Sequence, residues 1–115
     1  MKTKKIKQLR HEFKNYLIKN YKNVSEITIK TYLCDSFYVY RRQSEFSVNF
    51  FDLFKSKDDI ANFEKELLIQ QTARKNIKNP KGSTQAYLKG LYRLYNFFEE
   101  EYGRIDNFIK LKTIQ

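Results

Sequence analysis

The chain has 115 residues and a mass of 14.0 kDa, which sets a single domain, 1–115, as the expectation and excludes a complete multi-domain enzyme. Three Gly and one Pro exclude collagen-like and low-complexity classes, and a hydrophobic fraction of 41% with 17% aromatic residues excludes outright disorder. Twenty-three Lys and Arg against thirteen Asp and Glu give a net charge of +10, which favours a polyanion as partner: DNA, RNA or an acidic membrane surface.

The first helix is expected over about Ile6 to Asn20, with Leu9, Phe13, Tyr16/Leu17 and Asn20 at three- and four-residue steps. The lysine-rich stretch before it, about 1–6, is either a phosphate-grabbing arm or a soluble tail. Asn20 to Ser25 is a polar break, and Ser25 is a good N-cap for a second helix running to about Arg42 and burying Ile29, Tyr32/Leu33, Ser36/Phe37 and Tyr40. Phe46 to Phe54 reads as a short helix or packed connection whose phenylalanines plug the core. Asp58 or Asp59 caps the third helix, which buries Ile60, Phe63, Leu67/Leu68 and Gln71 and fades near Ile77. Asn79-Pro80-Lys81-Gly82-Ser83 is the strongest turn signal, after which Ser83 caps a fourth helix over Thr84 to Glu101, closed by Gly103. Four main helices make the expected fold class all-α, a small four-to-five-helix bundle with an exit segment over about 103–115.

Charge is unevenly spread. Residues 1–23 carry eight Lys and Arg against Glu12 alone, and 67–98 carry six with no acid, whereas 45–66 hold six acids against three lysines. At the fourth helix, Lys81, Ser83, Thr84 and Gln85 combine a base, hydroxyls and free backbone N–H groups into a phosphate seat. One turn on, Lys89 and Arg93 reach toward phosphate or guanine, and Gln85 toward adenine edges. The second helix repeats the design with Ser25, Thr28, Lys30 and the pair Arg41-Arg42. The plain alternative, ordinary capped helices with solvated faces, stays open for both. Tyr38 and Tyr92 are the aromatics expected at the surface, and His11 is expected there too, while Cys34 is expected in or beside the core. One Cys and one His cannot build a Cys/His zinc site, no catalytic constellation or cofactor motif is present, and no apolar run suits a signal or a membrane span, so a cytoplasmic protein without cofactor is expected.

Two segments together resemble the N-terminal, SAM-like core-binding domain of tyrosine recombinases (phage-type integrases). Ser25-Glu-Ile-Thr28-Ile-Lys-Thr-Tyr32-Leu-Cys-Asp35 is similar to that domain's first long helix. Ser83-Thr84-Gln-Ala-Tyr87-Leu88-Lys-Gly-Leu91, running on to Phe97-Phe98, is similar to its last, and Tyr102 to Asn107 to its exit toward a catalytic domain, with Phe108 where a proline often stands. The resemblance spans about 11–108 and rests on order and spacing. It implies a helical half-clamp on duplex DNA in site-specific recombination. Ser25, Thr28, Lys30, Lys81, Ser83, Thr84, Gln85, Lys89 and Arg93 become its DNA-facing set, and other recombinase protomers become possible partners. The family's His-x-x-Arg signature is absent, since His11 is followed by Glu12, Phe13 and Lys14, so a chain of this type binds without cleaving.

The sequence thus points to a non-catalytic double-stranded DNA-binding module with no small-molecule substrate and no membrane partner. Two rival readings are a small helical protein–protein adaptor using Tyr38, Tyr92 or Phe46–Phe54, and an RNA- or single-strand-binding bundle using exposed tyrosines.

Overall fold

A computed structural model describes residues 2–114, with side-chain surroundings for 4–110. Among the described residues there are six α-helices, two 3-10 turns and no strand: α1 (Lys2–Asn20), α2 (Glu26–Ser36), α3 (Tyr38–Arg41), the turns Gln43–Glu45 and Phe50–Phe54, α4 (Lys57–Ala73), α5 (Pro80–Tyr102) and α6 (Ile105–Ile114). The protein is an all-α bundle, with more helices than the four or five expected.

α5 is the central element, packing against α1, α2, α4, α6 and the Phe50–Phe54 turn. It buries Leu88, Leu91, Leu94, Phe97 and Phe98, a stripe wide enough to face several neighbours. Aromatic rings tie the layers together. Phe13 of α1 meets Phe37 and Phe97 at centroid distances of 6.1 and 5.7 Å, Phe54 meets Phe98 at 5.4 Å, and Phe98 meets Phe108 of α6 at 5.5 Å. Such pairs add about 0.5–1.5 kcal/mol each beyond the area they bury.

Several boundaries differ from expectation for identifiable reasons. α1 starts at Lys2 rather than Ile6, so most of the stretch read as an arm is helical; lysine is a good helix former and nothing in 2–5 interrupts the pattern. α2 stops at Ser36 and the chain restarts as α3 through Phe37, at φ −106° and ψ 8°. Ser36, Phe37, Tyr38 and Val39 are all buried, and one straight helix cannot turn four successive residues inward. Ser36 Oγ also donates to the Tyr32 carbonyl at 2.8 Å, a bond that bends helices. The cap of α4 is Ser56, whose Oγ accepts the Asp59 N–H, so Asp58 and Asp59 are first-turn acids and not caps. α5 begins at Pro80 with Asn79 as its cap, because proline suits the first helical position, and Ser83 therefore lies inside the helix. Gly103, at φ 79°, closes α5 as expected, and the exit segment folds back as α6, burying Ile105 and Phe108.

Two exposure expectations are corrected. Tyr38 is buried, 7% exposed, where a surface position was expected, and Cys34 is exposed, because the break after Ser36 turns Tyr38 inward while Cys34 lies on the outer side of α2. Tyr92 is half-buried against the core, and His11 is exposed as expected.

α5 and α2 touch through backbone. A Cβ at Gly90 would lie 2.7 Å from the Ser36 nitrogen and 2.8 Å from the Asp35 carbonyl carbon. Gly90→Ala, normally favourable in a helix, is expected here to destabilise the protein by about 2 kcal/mol, read as a lowered urea midpoint with unchanged slope. A second expectation concerns α1. Tyr16 Oη donates to Glu100 and Tyr102 Oη to Glu12, and burial, then these carboxylates, raise both hydroxyls well above the ordinary 10.0. The folded state therefore keeps protons that the unfolded chain loses, and stability falls as pH rises through that value. Urea midpoints measured between about pH 9 and about pH 11 should drop, and should drop less in the Tyr16→Phe, Tyr102→Phe double variant.

Candidate nucleic-acid interface

The close approach at Gly90 sets α2 and α5 side by side and antiparallel. On one side of it Tyr38, just beyond the α2 break, stacks on Tyr87 with centroids 3.9 Å apart and planes 1° from parallel. On the other side the Arg93 guanidinium carbon sits 3.7 Å from the centre of the Tyr32 ring, a cation–π contact that fixes the arginine's direction. Alongside this seam runs an open groove of about 360 Å³, lined by Tyr32 and Asp35 of α2 and by Gly82, Gln85, Ala86, Lys89 and Arg93 of α5.

Three arginines gather around the Tyr38 end of the seam. Arg41 donates to the Cys34 carbonyl at 3.2 Å, Arg42 pairs with Glu45 at 3.3 Å, and Arg74 lies 3.4 Å from Tyr38 Oη. Arg93 and Arg41 both act electrostatically on Asp35, Arg41 and Arg74 on Tyr87, and Arg42 and Arg74 on Glu45. The arginines rest on a buried polar network. Tyr38 Oη accepts from Gln70 Nε2 at 3.0 Å and Gln71 Nε2 at 2.8 Å, Gln70 Nε2 also reaches Glu45 at 2.7 Å, and Ser83 Oγ donates to Gln71 Oε1 at 2.6 Å. That network joins α3, α4 and α5, so the cationic end has a rigid base. The Gln70 amide and then Arg42 hold the Glu45 carboxyl below its ordinary value.

The turn between α4 and α5 adds Lys75 and Lys78, both exposed, and α5 adds exposed Lys81 and Lys89. Among the described residues three ion pairs form, Arg42–Glu45, Lys55–Asp52 and Arg104–Asp106, so none of these four lysines is neutralised by a direct pair. Three acids share this region, Asp35 in the groove, Glu45 on Arg42, and Glu64, which accepts from Gln85 Nε2 at 3.2 Å; a larger acidic group lies at the other end. Lys57, in the first turn of α4, reaches the Tyr95 ring at 5.9 Å, which places that turn, with Asp58 and Asp59, beside the far end of α5, where Glu99, Glu100 and Glu101 follow. The bundle is therefore electrically polar along α5.

Of the residues singled out from sequence, the structure brings Gln85, Lys89 and Arg93 together in the groove, with Lys81, Arg41 and Arg42 close to its cationic end. It does not bring in the others. Thr84 is 1% exposed and faces the core, and Ser83 is spent on Gln71. The expected phosphate seat is absent, since Asn79 Oδ1 accepts the Gly82 N–H at 3.0 Å and the Asn79 carbonyl accepts the Ser83 N–H at 3.0 Å. Ser25 and Thr28 serve the cap of α2, with Ser25 Oγ accepting the Thr28 N–H at 3.2 Å, and neither lines the groove. Lys30 is exposed on α2 but does not line the groove. Sequence reasoning missed Arg74 as part of the cluster and Asp35 as part of the groove; the acid-free run from Arg74 to Lys81 was the available signal for the first. Among the described residues no cluster of metal-ligating side chains and no helix long and apolar enough to cross a membrane is present.

No protein-family model, curated protein or solved structure matches the chain.

Asp35 generates the electrostatic prediction of this site. Burial raises its carboxyl above the ordinary 3.8, and Arg93 and Arg41 offset that only in part. The carboxylate is thus less favourable in the folded protein than in the unfolded chain, so stability falls as pH rises from the ordinary carboxyl value through the folded one and the full cost is present at neutral pH. Asp35→Asn should stabilise the protein at neutral pH by about 0.5 kcal/mol after solvent screening, with the gain vanishing below the ordinary carboxyl value; urea midpoints across pH read it out.

Proposed function

We propose that this chain is a non-catalytic module that binds double-stranded DNA through its phosphates, using the cationic end formed by the α2–α3 corner, the α4–α5 turn and the first half of α5. The observation that carries the reading is the one-sided charge. Arg41, Arg42, Arg74, Lys75, Lys78 and Lys81 gather about one end of α5, Lys89 and Arg93 follow along the helix, and Asp58, Asp59 and Glu99 to Glu101 lie about the other end. A rigid dipole of this kind orients a protein on a polyanion before contact, which uniformly spread charge does not do. Flexible, unpaired lysines supply phosphate contacts, and the anchored arginines supply direction.

The finer reading is a core-binding module of the tyrosine recombinase type, acting in DNA recombination or integration in the cytoplasm with other recombinase protomers. What supports it is the order of the segments Ser25–Asp35 and Ser83–Phe98, which correspond to α2 and most of α5, the two helices that line the groove. The adaptor reading is weaker, because Tyr38, Phe50, Leu53 and Phe54 are spent on the core.

Anisotropy of a labelled random duplex, titrated across a salt series, tests the proposal. Micromolar binding is expected, with a log–log slope of roughly −0.9 per phosphate neutralised. Lys81→Glu with Lys89→Glu should weaken binding by about tenfold or more and flatten the slope by about two units. The same charge change placed on α1, Lys14→Glu with Lys19→Glu, should cost no more than about threefold. Equal losses in the two variants would reduce the effect to net charge and remove the oriented surface.

A further inference from the structure

We propose that the α2–α5 groove seats a single unpaired nucleobase carrying an exocyclic amino group, with Asp35 as the acceptor that selects it; this rests on the nucleic-acid reading above. The groove's charges decide what can enter. Lys89, Arg93 and nearby Arg41 repel a cationic side chain and draw a phosphate to their own side of the groove, whereas the half-buried Asp35 carboxylate keeps a phosphate away from its side. A neutral hydrogen-bond donor is the group this mixture accepts beside Asp35.

Asp35 has the capacity to receive it. Its carboxylate lies outside ion-pair distance of Arg41 and Arg93, and among the described residues no hydrogen bond engages it. Burial has removed part of its hydration, so a donated N–H returns what folding took away. A flat ring also finds a surface there, because Tyr32 holds the Arg93 guanidinium in a fixed place on the groove wall, and guanidinium planes stack on bases. Lys89, exposed and without an ion pair, stands within the same groove for the nucleotide's own phosphate.

Shape separates a paired base from an unpaired one. The groove is concave and about 360 Å³, toward the small end of ligand clefts at ~300–1,000 Å³. A concave surface cannot follow base edges into the major groove of an intact duplex, whereas an extrahelical base can leave the stack and enter it, at least cost where it has no pairing partner. The preferred target is therefore a duplex interrupted by an unpaired cytosine, adenine or guanine, with thymine discriminated against because it presents a carbonyl where cytosine presents an amino group.

The test is anisotropy at fixed salt with three labelled probes: a continuous duplex, the same duplex with one extra cytosine, and the same duplex with one extra thymine. The cytosine bulge should bind about tenfold tighter than the thymine bulge. Asp35→Ala, with helical content checked by circular dichroism, should remove that preference while leaving the continuous duplex bound as well or better, since a negative charge is gone. Equal affinity for both bulges alongside clear duplex binding overturns the base pocket and leaves the duplex reading standing. Persistence of the preference in Asp35→Ala overturns the role of Asp35. Cytosine-bulge binding without continuous-duplex binding supports the pocket and overturns the duplex reading, and no binding to any probe overturns both. The comparison of bulges on the unaltered protein stands even if the variant does not fold.

Discussion

The backbone contact between Gly90 of α5 and the Asp35–Ser36 segment of α2 is the constraint on which the rest of the site depends. Helices whose side chains meet normally stand ~8–10 Å apart at their axes. Removing the side chain at one position lets the two approach until atoms of the main chain touch. That approach brings Tyr87 flat against Tyr38 and Arg93 down onto Tyr32, contacts that a wider spacing would open. The groove, its arginine and its carboxylate are consequences of a missing Cβ.

A second constraint is the cost of keeping polar groups inside. Gln70, Gln71 and Tyr38 are buried, and a bundle of this size has little stability to spare. They are tolerated because they satisfy one another and Ser83, leaving Arg74 Nε and Thr84 Oγ1 as the buried side-chain atoms without a partner among the described residues. The same network holds α3 beside the end of α4, and with it the arginines that flank the break in α2. Positive charges gathered so closely repel one another, and Asp35 and Glu45 are the carboxylates set among them. The cationic end is thus assembled against its own electrostatics by packing and hydrogen bonding beneath it.

Polarity along α5 follows from connectivity. α4 and α5 form an antiparallel hairpin, so the turn between them collects Arg74, Lys75, Lys78 and Lys81, while the start of α4 and the end of α5 bring their acids to the opposite pole. Runs of like charge that look merely local in the chain become a molecular dipole once the hairpin closes.

Much of this was legible beforehand. The apolar spacing of Leu9, Phe13 and Leu17, of Ile60, Phe63 and Leu67, and of Leu88, Leu91 and Leu94 fixes three helices and their inward faces, since a 3.6-residue period leaves few other ways to bury them. The Ser25 cap, the Gly103 stop and the separation of basic from acidic stretches were also visible, because each depends on neighbours in the chain. The bend at Phe37, the burial of Tyr38 and Thr84 and the exposure of Cys34 were not. Pro80 at the first helical position favours Asn79 over Ser83 as the cap of α5, and the packing of α5 against α4 turns Ser83 toward Gln71. Nothing local says that Asp35 lies within the field of Arg41 and Arg93, or that Gly90 stands against Ser36 fifty-four positions earlier. The sequence by itself determined the helices, their inward faces and the net charge, all properties of short range or of simple sums. Which side chains share a groove was decided by the tertiary structure alone, because distances between residues far apart in the chain are set by how closely the helices can pack.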